Sequence, residues 1–150
     1  VGLVAPAHAT AAGKIWLAHL PEAEALAILA RQGLRRLTPR TITSRWKLLA
    51  QLREARARGY AIVDEELVEG GRAAGAAILA GGRVVAAVAV SGPTFRLSLA
   101  KLHRIAPRIR RAAAQLGAVW PRRLTARDFG LGVRPATNGR PAKASTRGAS

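Results

Sequence analysis

At 150 residues, the chain is long enough for one domain, and its hydrophobic content of 49% is sufficient for a buried core. It has no cysteine, which excludes disulfides, thiolate metal sites and cysteine nucleophiles. No apolar run approaches the ~18 residues that cross a membrane, so we expect a cytoplasmic protein without a membrane partner. The formal net charge of +17 favours anionic partners, but the basic residues are scattered along the whole chain. Methionine is absent, which predicts that the natural start of the chain is missing.

The first part of the chain has the spacing of three amphipathic helices. Apolar residues recur at three- and four-residue steps over residues 6–20, and small residues crowd the beginning of this segment. Backbone amides exposed at such a helix start carry partial positive charge and suit an anion. A second helix is predicted over residues 21–32, and a third begins at Thr43 or Ser44 and ends at about Arg58.

Residues 59–93 hold three predicted strands and the strongest hairpin signal of the chain. The apolar runs Ala73–Leu79 and Val84–Val90 are separated by Gly81-Gly82, which is typical of a tight turn. Both faces of the second run are apolar, so we expect it to be covered on both sides. Ser91, the lone polar residue of its face, should then be buried and need a partner, in the protein or in something bound.

The register of this hairpin decides which residues share a face. A two-residue loop, Gly81-Gly82, would pair Ala73 with Val90. A three-residue loop, Ala80–Gly82, would pair Ala73 with Ala89. Because this second register gathers small residues and one hydroxyl on a concave patch, we predict the three-residue loop. The patch consists of Gly71, Ala73, Ala89 and Ser91.

The remaining chain contains one long helix and a polar tail. A fourth helix is predicted over residues 98–119, and Pro107 should kink it or split it in two. Trp46 is expected on the buried side of the third helix. From residue 121 onward, Pro, Gly, Ser, Thr and scattered arginines without periodicity predict disorder. The sequence therefore predicts one domain over residues 1–120 and a disordered basic tail over residues 121–150.

No sequence pattern assembles a catalytic or metal site. The histidines His8, His19 and His103 lack metal-ligand spacing, and no serine stands in a nucleophile elbow. We expect His8, at a helix start, to be a packing or capping residue. A phosphate loop fails because His8 and Ile15 stand where that motif needs Gly and Ser or Thr. The sequence predicts a protein that is not an enzyme and has no cofactor or metal.

The acidic cluster Asp64-Glu65-Glu66 leaves two interpretations open. Strand alternation would place Asp64 and Glu66 on one face, where they could form an acid/base pair. The simpler interpretation is a strand end whose carboxylates pair with Arg58 or Arg72. Lys14, one turn into the first helix, is expected to lie along the surface with its amine in water.

Four stretches, in this order and spacing, resemble the C-terminal effector-binding domain of IclR-type bacterial transcriptional regulators: APAHATAAGKIWLAHLP, LTPRTIT, LREARARGYAIVDEELVEGGRAAGAAI and VVAAVAVSGPTFRL. The resemblance covers about residues 2–118. It implies an α+β fold, with a GAF-like curved antiparallel sheet flanked by helices. It also implies that this fold is N-terminally incomplete here, because the first strands of the domain and a winged helix-turn-helix are missing. It also implies a small organic acid effector, a homo-oligomer (dimer or tetramer), and operator DNA bound through the missing winged helix.

The resemblance also implies where the effector binds. In the family the pocket is lined by the start of the first helix and by three strand segments, and the matching positions here are Ala11, Ala12, Val63, Gly71, Ala73, Ala89 and Ser91. Val63, Ala73 and Ala89 stand where members that bind small polar acids often have Asp, Cys and Ser. This implies an apolar pocket that favours an aromatic or aliphatic acid, with Ser91 and two helix-start amides as polar anchors.

The function predicted from the resemblance is effector sensing that modulates DNA binding allosterically. Two alternatives remain open at this point. One is a stand-alone basic nucleic-acid-binding protein, which would bind with steep salt dependence. The other is a truncated remnant that acts only through oligomerisation with relatives. A small hydrolase or isomerase would need a placed nucleophile or base, which the sequence does not offer.

Overall fold

A computed structural model describes residues 5–120 of the chain. Within these residues a short 3-10 helix precedes four α-helices and three strands: Ala7–Ala9, α1 (Ala11–His19), α2 (Glu22–Gln32), α3 (Arg45–Arg58), β1 (Ala61–Asp64), β2 (Gly71–Ala80), β3 (Arg83–Pro93) and α4 (Leu99–Ala118). The strands form an antiparallel sheet in the order β1-β2-β3. This arrangement confirms the predicted α+β class.

The sheet lies between two helical layers. On one face, α1 and α3 bury Ile15, Leu48 and Leu52 together with Ala61 of β1. On the other face, α4 packs its apolar side chains against alternate residues of β1 and β2: Ile62, Ala74, Ala76 and Ile78 with Leu102, Ala106, Ile109 and Ala113. Small side chains on the strands allow the helices to approach the sheet closely, because few of them project far from the backbone.

Capping residues and glycines set the helix boundaries. The side-chain oxygens of Thr10, Ser44 and Ser98 accept hydrogen bonds from the first turns of α1, α3 and α4. Gly33 and Gly59 follow α2 and α3 with positive φ, a conformation that glycine adopts at little cost. The predicted bounds of α2 are correct, and of the two proposed caps for α3, Ser44 is the one used.

Two predictions about the helices are wrong, and one of the two effects expected of Pro107 is absent. The first predicted helix is interrupted at Thr10, which is extended and separates the 3-10 turn from α1. Trp46 is not buried: it is 67% exposed, and the guanidinium of Arg45 lies 5.3 Å from its ring centre. α4 remains one helix across Pro107, so the proline does not split it. Its ring is on the exposed side of the helix, where water can satisfy the carbonyl that loses its donor.

The hairpin register differs from both predicted alternatives. The turn is the two-residue loop Gly81-Gly82, with Ala80 paired to Arg83, so the three-residue loop is wrong. A bulge near Ile78 then shifts the pairing by one residue, and Ala73 lies opposite Ser91. Because this shift restores the alternation, the predicted small-residue patch still occupies one face of the sheet.

β3 is an edge strand within residues 5–120, and its end is exposed. The expectation that both of its faces are covered is correct for the middle of the strand, where Ala87 packs on the α1 side and Val88 on the α4 side, and wrong for its end. Ala89, Val90 and Ser91 are all solvent-exposed. No helix in the described part of the chain is long and apolar enough to cross a membrane. The predicted disordered tail, residues 121–150, lies outside the described residues.

Candidate functional site

The start of α1 lies over the sheet face that carries the small residues. A Cβ added to Gly75 on β2 would lie 3.2 Å from the Cβ of Ala11, so helix and strand are in close contact there. Gly75 pairs with Ala89 on β3, and Val63 on β1 pairs with Ala73 on β2. Directly paired residues share a face, so these strand positions lie on the side of the sheet that faces α1.

The predicted effector-binding residues differ in their exposure. Ala11 and Val63 are buried, Gly71 and Ala73 are half-buried, and Ala12, Ala89 and Ser91 are exposed. The prediction that Ser91 is a buried hydroxyl is wrong, because β3 has no neighbouring strand on its outer side within the described residues. The patch is therefore closed on the β1 side and open on the β3 side.

The first amides of α1 are available at the edge of this patch. The hydroxyl oxygen of Thr10 accepts from the amide of Gly13 at 3.1 Å, and its carbonyl accepts from the amide of Lys14 at 2.9 Å. Within residues 5–120, the amides of Ala11 and Ala12 have no hydrogen-bond acceptor. These N–H groups sit at the positive end of the helix dipole, which favours an anion.

His8 is fully buried just before the start of α1. Its Nε2 lies 3.1 Å from the carbonyl oxygen of Arg35, while its Nδ1 has no partner among the described residues. The expected packing role of His8 is confirmed, and Thr10 is the capping residue. A buried polar atom without a partner is uncommon, and Nδ1 can accept a hydrogen bond when Nε2 carries the proton.

Lys14 forms a buried ion pair that the sequence analysis missed. Its side chain is 1% exposed, and its Nζ donates to both carboxylate oxygens of Glu66, at 2.5 and 2.6 Å, and to Gln51 Oε1. The expectation that this amine lies in water is wrong. The helical spacing contained the signal, because Lys14 stands between Ala11 and Ala18 on the buried stripe of α1.

Burial lowers the pKa of Lys14 from its ordinary value of 10.5, because an ammonium group loses hydration in the interior. The attraction and the hydrogen bond to Glu66 act in the opposite direction, and the nearby charge of Arg58 lowers the pKa further. The ion pair thus joins α1 to the loop after β1 through two groups removed from water.

The carboxylates of the acidic cluster have different ion-pair partners. Asp64 pairs with Arg72 at 2.5 Å and with the exposed Arg40 at 2.6 Å, which confirms one of the two expected arginine partners. β1 ends at Asp64, and Glu65 adopts φ +56°, so the strand alternation stops before Glu66. Each carboxylate is held by a cation, Asp64 by arginines and Glu66 by Lys14, which favours the ion-pair interpretation over an acid/base pair.

Two threonines hold the loop that carries Glu66. The Thr38 hydroxyl donates to the carbonyl oxygen of Glu65 at 2.6 Å, and the Thr41 hydroxyl donates to that of Glu66 at 2.7 Å. Both threonines are buried. The connector between α2 and α3 therefore fixes the backbone on which the partner of Lys14 stands.

Two cavities lie away from the small-residue patch. One, of about 130 Å³, lies among α1, α2 and α3 near Leu17, Ala25 and Leu52. The other, of about 180 Å³, lies between α3, β1 and α4, and it is lined by charged and polar groups, including Gln51, Arg58, Asp64, Glu66 and His103. Among the described residues, no group of three potential ligands could hold a metal ion.

A helix start over an open sheet face sets unpaired amides beside an apolar surface, an arrangement that suits an anion with an apolar body. The chain belongs to the IclR family of bacterial transcriptional regulators: residues 1–118 match the family model of the IclR C-terminal domain. This confirms the resemblance seen in the sequence.

Three relatives illustrate the match. The HTH-type transcriptional repressor AllR of Salmonella typhimurium is 44% identical over 94 residues, which cover 62% of this chain and 35% of AllR. The C-terminal domain of Escherichia coli KdgR matches with a TM-score of 0.69 and 35% identity, over 75% of this chain and 70% of that one. A mutant inducer-binding domain of Acinetobacter PobR, in complex with 3-hydroxybenzoic acid, matches with a TM-score of 0.71 and 32% identity, over 75% and 67%.

The chain thus spans about a third of the length of the curated relatives it matches. Those relatives are transcriptional repressors and not enzymes, which confirms the expectation that the chain has no enzymatic role. The chain is therefore a C-terminal domain of the IclR type.

Proposed function

We propose that the chain senses a small organic acid in the patch between the start of α1 and the ends of β2 and β3. The observation that carries this proposal is the contact of Ala11 with Gly75, which sets two unused helix amides beside a sheet face of very small side chains. An anionic group at the amides of Ala11 and Ala12 would gain from the helix dipole. The rest of the ligand would lie against the alanines of the sheet.

The chemistry of the patch favours an aromatic or aliphatic acid over a two-carbon acid. Ala73 and Ala89 offer accessible apolar surface without hydrogen-bonding side chains, and Val63 lies buried beside Ala73. Ser91 supplies one hydroxyl at the open end. Burying apolar ligand surface contributes roughly 25 cal/mol per Å², so a larger apolar body should bind more tightly. The related PobR inducer-binding domain was crystallised with 3-hydroxybenzoic acid, which supports this ligand class.

In the whole regulator, effector binding would change DNA affinity at a distance. We propose that a cytoplasmic homo-oligomer, a dimer or tetramer, carries this domain next to a winged helix-turn-helix that binds operator DNA. A coupling free energy of about 1–3 kcal/mol between the two sites, a factor of about 5–150 in affinity, would be sufficient for regulation. The alternative function is that of a truncated remnant that acts only through oligomerisation with relatives. Effector binding distinguishes the two functions, because only the sensing domain requires it.

Isothermal titration calorimetry with benzoate, 3-hydroxybenzoate and glyoxylate tests the effector class. Binding of the aromatic acids with Kd in the μM–mM range, about −8 to −4 kcal/mol, and weaker binding of glyoxylate are expected. Ala73→Phe should abolish binding by filling the patch, and Ser91→Ala should weaken it. Ala80→Phe, at the far end of the same strand, is the control and should bind normally. Unchanged affinity in both patch variants would remove the effector from this surface.

A further inference from the structure

The outer side of α4 forms a second surface, on the opposite side of the sheet from α1. The inward side of this helix packs against the sheet. On its outward side, four exposed basic side chains recur at three- and four-residue steps and form what we call the basic stripe: Lys101, Arg104, Arg108 and Arg111. With 3.6 residues per turn and 1.5 Å per residue, the stripe is about 15 Å long and lies within about a quarter of the helix circumference.

The charges of the basic stripe are not balanced by the fold. Residues 70–127 contain neither Asp nor Glu, and within the described part of the chain no stripe residue forms an ion pair. Lys101 donates to the carbonyl oxygen of Arg96 at 3.1 Å, which leaves its charge uncompensated. In contrast, Arg53 and Arg72 pair with carboxylates.

Folding alone therefore does not account for this arrangement. Like charges three and four residues apart on a helix repel one another and destabilise it. The stripe contains three such pairs in succession, with no acidic residue on α4 to offset them. A row of this kind lowers its free energy when a partner brings a matching row of negative charge.

We propose that the basic stripe on α4 binds the phosphate backbone of duplex DNA. The exposed residues of α4 that share the side of the stripe are neither aromatic nor bulky and apolar: Ala100, Pro107, Ala112 and Gln115. The exposed aromatic Phe95 lies before the helix, with the Arg96 guanidinium 5.9 Å from its ring centre. Arg and Lys side chains without base-reading partners are typical of phosphate contacts, which position a protein on DNA without reading its sequence. Because the chain belongs to a family of transcriptional regulators, duplex DNA is a partner that it would meet.

This site is independent of the effector patch, because α1 and α4 cover opposite faces of the sheet. Four phosphate contacts would give log K a slope of about −3.6 against log salt concentration, or about a 150-fold loss of affinity between 50 and 200 mM. The proposal therefore predicts a measurable contribution to DNA binding from this domain without a winged helix.

The test measures binding of the 150-residue chain to a short mixed-sequence duplex by fluorescence anisotropy across this salt range. The stripe variant carries Lys101→Gln, Arg104→Gln, Arg108→Gln and Arg111→Gln. The matched control replaces one lysine and three arginines that are equally exposed elsewhere, with the same loss of charge: Arg31→Gln, Arg45→Gln, Lys47→Gln and Arg83→Gln. Both variants keep residues 121–150, so any contribution of that segment is common to them.

We expect the stripe variant to bind the duplex at least about tenfold more weakly than the control at low salt. The slope of log K against log salt concentration should become less negative by up to about 3.6. If the quadruple variant unfolds, the four single Arg or Lys→Gln variants test the proposal instead. Each should make the slope of log K against log salt concentration less negative by about 0.9. Equal losses in the stripe variant and the control would overturn the proposal. So would a stripe-dependent preference for single-stranded RNA, or for phosphatidylserine vesicles, over the duplex.

Discussion

The ammonium group of Lys14 on α1 lies between both carboxylate oxygens of Glu66, and the side chains are 1% and 5% exposed. The pair is 52 residues apart in sequence and joins the first helix to the loop between β1 and β2. Because both groups are removed from water, each depends on the other for compensation of its charge. The position of α1 over the sheet, and with it the proposed effector patch, rests in part on this contact.

Removing one partner of the pair should destabilise the domain strongly. Lys14→Met leaves the Glu66 carboxylate buried without a cation, and we expect a loss of about 3–5 kcal/mol in the free energy of unfolding, measured by urea denaturation. The double variant Lys14→Met, Glu66→Leu replaces both charges with apolar groups of similar volume. It should recover most of that loss. A double variant as unstable as the single one would contradict the role of the ion pair.

The same pair predicts how stability changes with pH. Burial lowers the pKa of Lys14 below its value of 10.5 in the unfolded chain. Between the folded and the unfolded pKa, the unfolded chain binds more protons, so the free energy of unfolding rises with pH in this window, by at most about 1.4 kcal/mol per pH unit. Below both pKa values this contribution does not change. Relative to the variant Lys14→Met, Glu66→Leu, the wild-type protein should therefore gain stability as the pH approaches 10.5.

Urea denaturation of both proteins at a series of alkaline pH values checks this sign. The double variant is the appropriate reference because it lacks both titratable groups and keeps the exposed arginines and lysines of the wild type. A wild-type protein that loses stability relative to this reference as the pH rises toward 10.5 would show that attraction to Glu66, rather than desolvation, determines the pKa of Lys14.

Most of the element order could be predicted from local sequence signals. Ser44, Ser98 and Gly33 mark helix ends through capping and positive φ, and these interactions involve neighbours in the chain. The hairpin turn at Gly81-Gly82 is local as well. Its register is not, because a bulge near Ile78 shifts the pairing by one residue and no turn residue marks it in the sequence.

The parts that the sequence could not provide depend on contacts between distant segments. Lys14 has a long side chain that fits the surface of an isolated helix equally well, and its burial follows from Glu66 and Gln51 arriving from other elements. The exposure of Ser91 follows from the strand order, which composition does not encode. Four of the predicted effector residues share a face as expected. The predicted loop was one residue too long, but the bulge shifts the pairing by one residue and so returns the same residues to the same face.

Gly117 marks the point where the end of α4 meets the hairpin. A Cβ at this position would clash with the carbonyl oxygen of Leu79, which is backbone and cannot move aside easily. Although alanine favours a helix over glycine by about 1 kcal/mol, Gly117→Ala should lower the free energy of unfolding by about 1–3 kcal/mol through overpacking. Gln115→Ala, on the exposed side of the same helix, should change it by less than about 0.5 kcal/mol. A stabilised Gly117→Ala variant would contradict the close contact.

Thr41 is the buried link between the α2–α3 connector and the loop that carries Glu66. Its hydroxyl donates to the Glu66 carbonyl oxygen at 2.7 Å and accepts from the amides of Leu37 and Thr38 at 3.0 and 2.8 Å. Thr41→Val keeps the shape but leaves buried polar groups without partners. We expect a loss of about 1–3 kcal/mol in the free energy of unfolding.

The matched control for this substitution is Thr43→Val, two residues further along the same connector. Thr43 is exposed, and its hydroxyl accepts from Arg36 at 3.4 Å, so the change should cost less than about 0.5 kcal/mol. Hydrogen exchange provides the more specific measurement, because faster exchange at Leu37 and Thr38 is expected in Thr41→Val and not in Thr43→Val. Equal stability and equal exchange in the two variants would show that the Thr41 hydroxyl does not hold the loop of Glu66, and that Thr38 and Lys14 are sufficient to fix it.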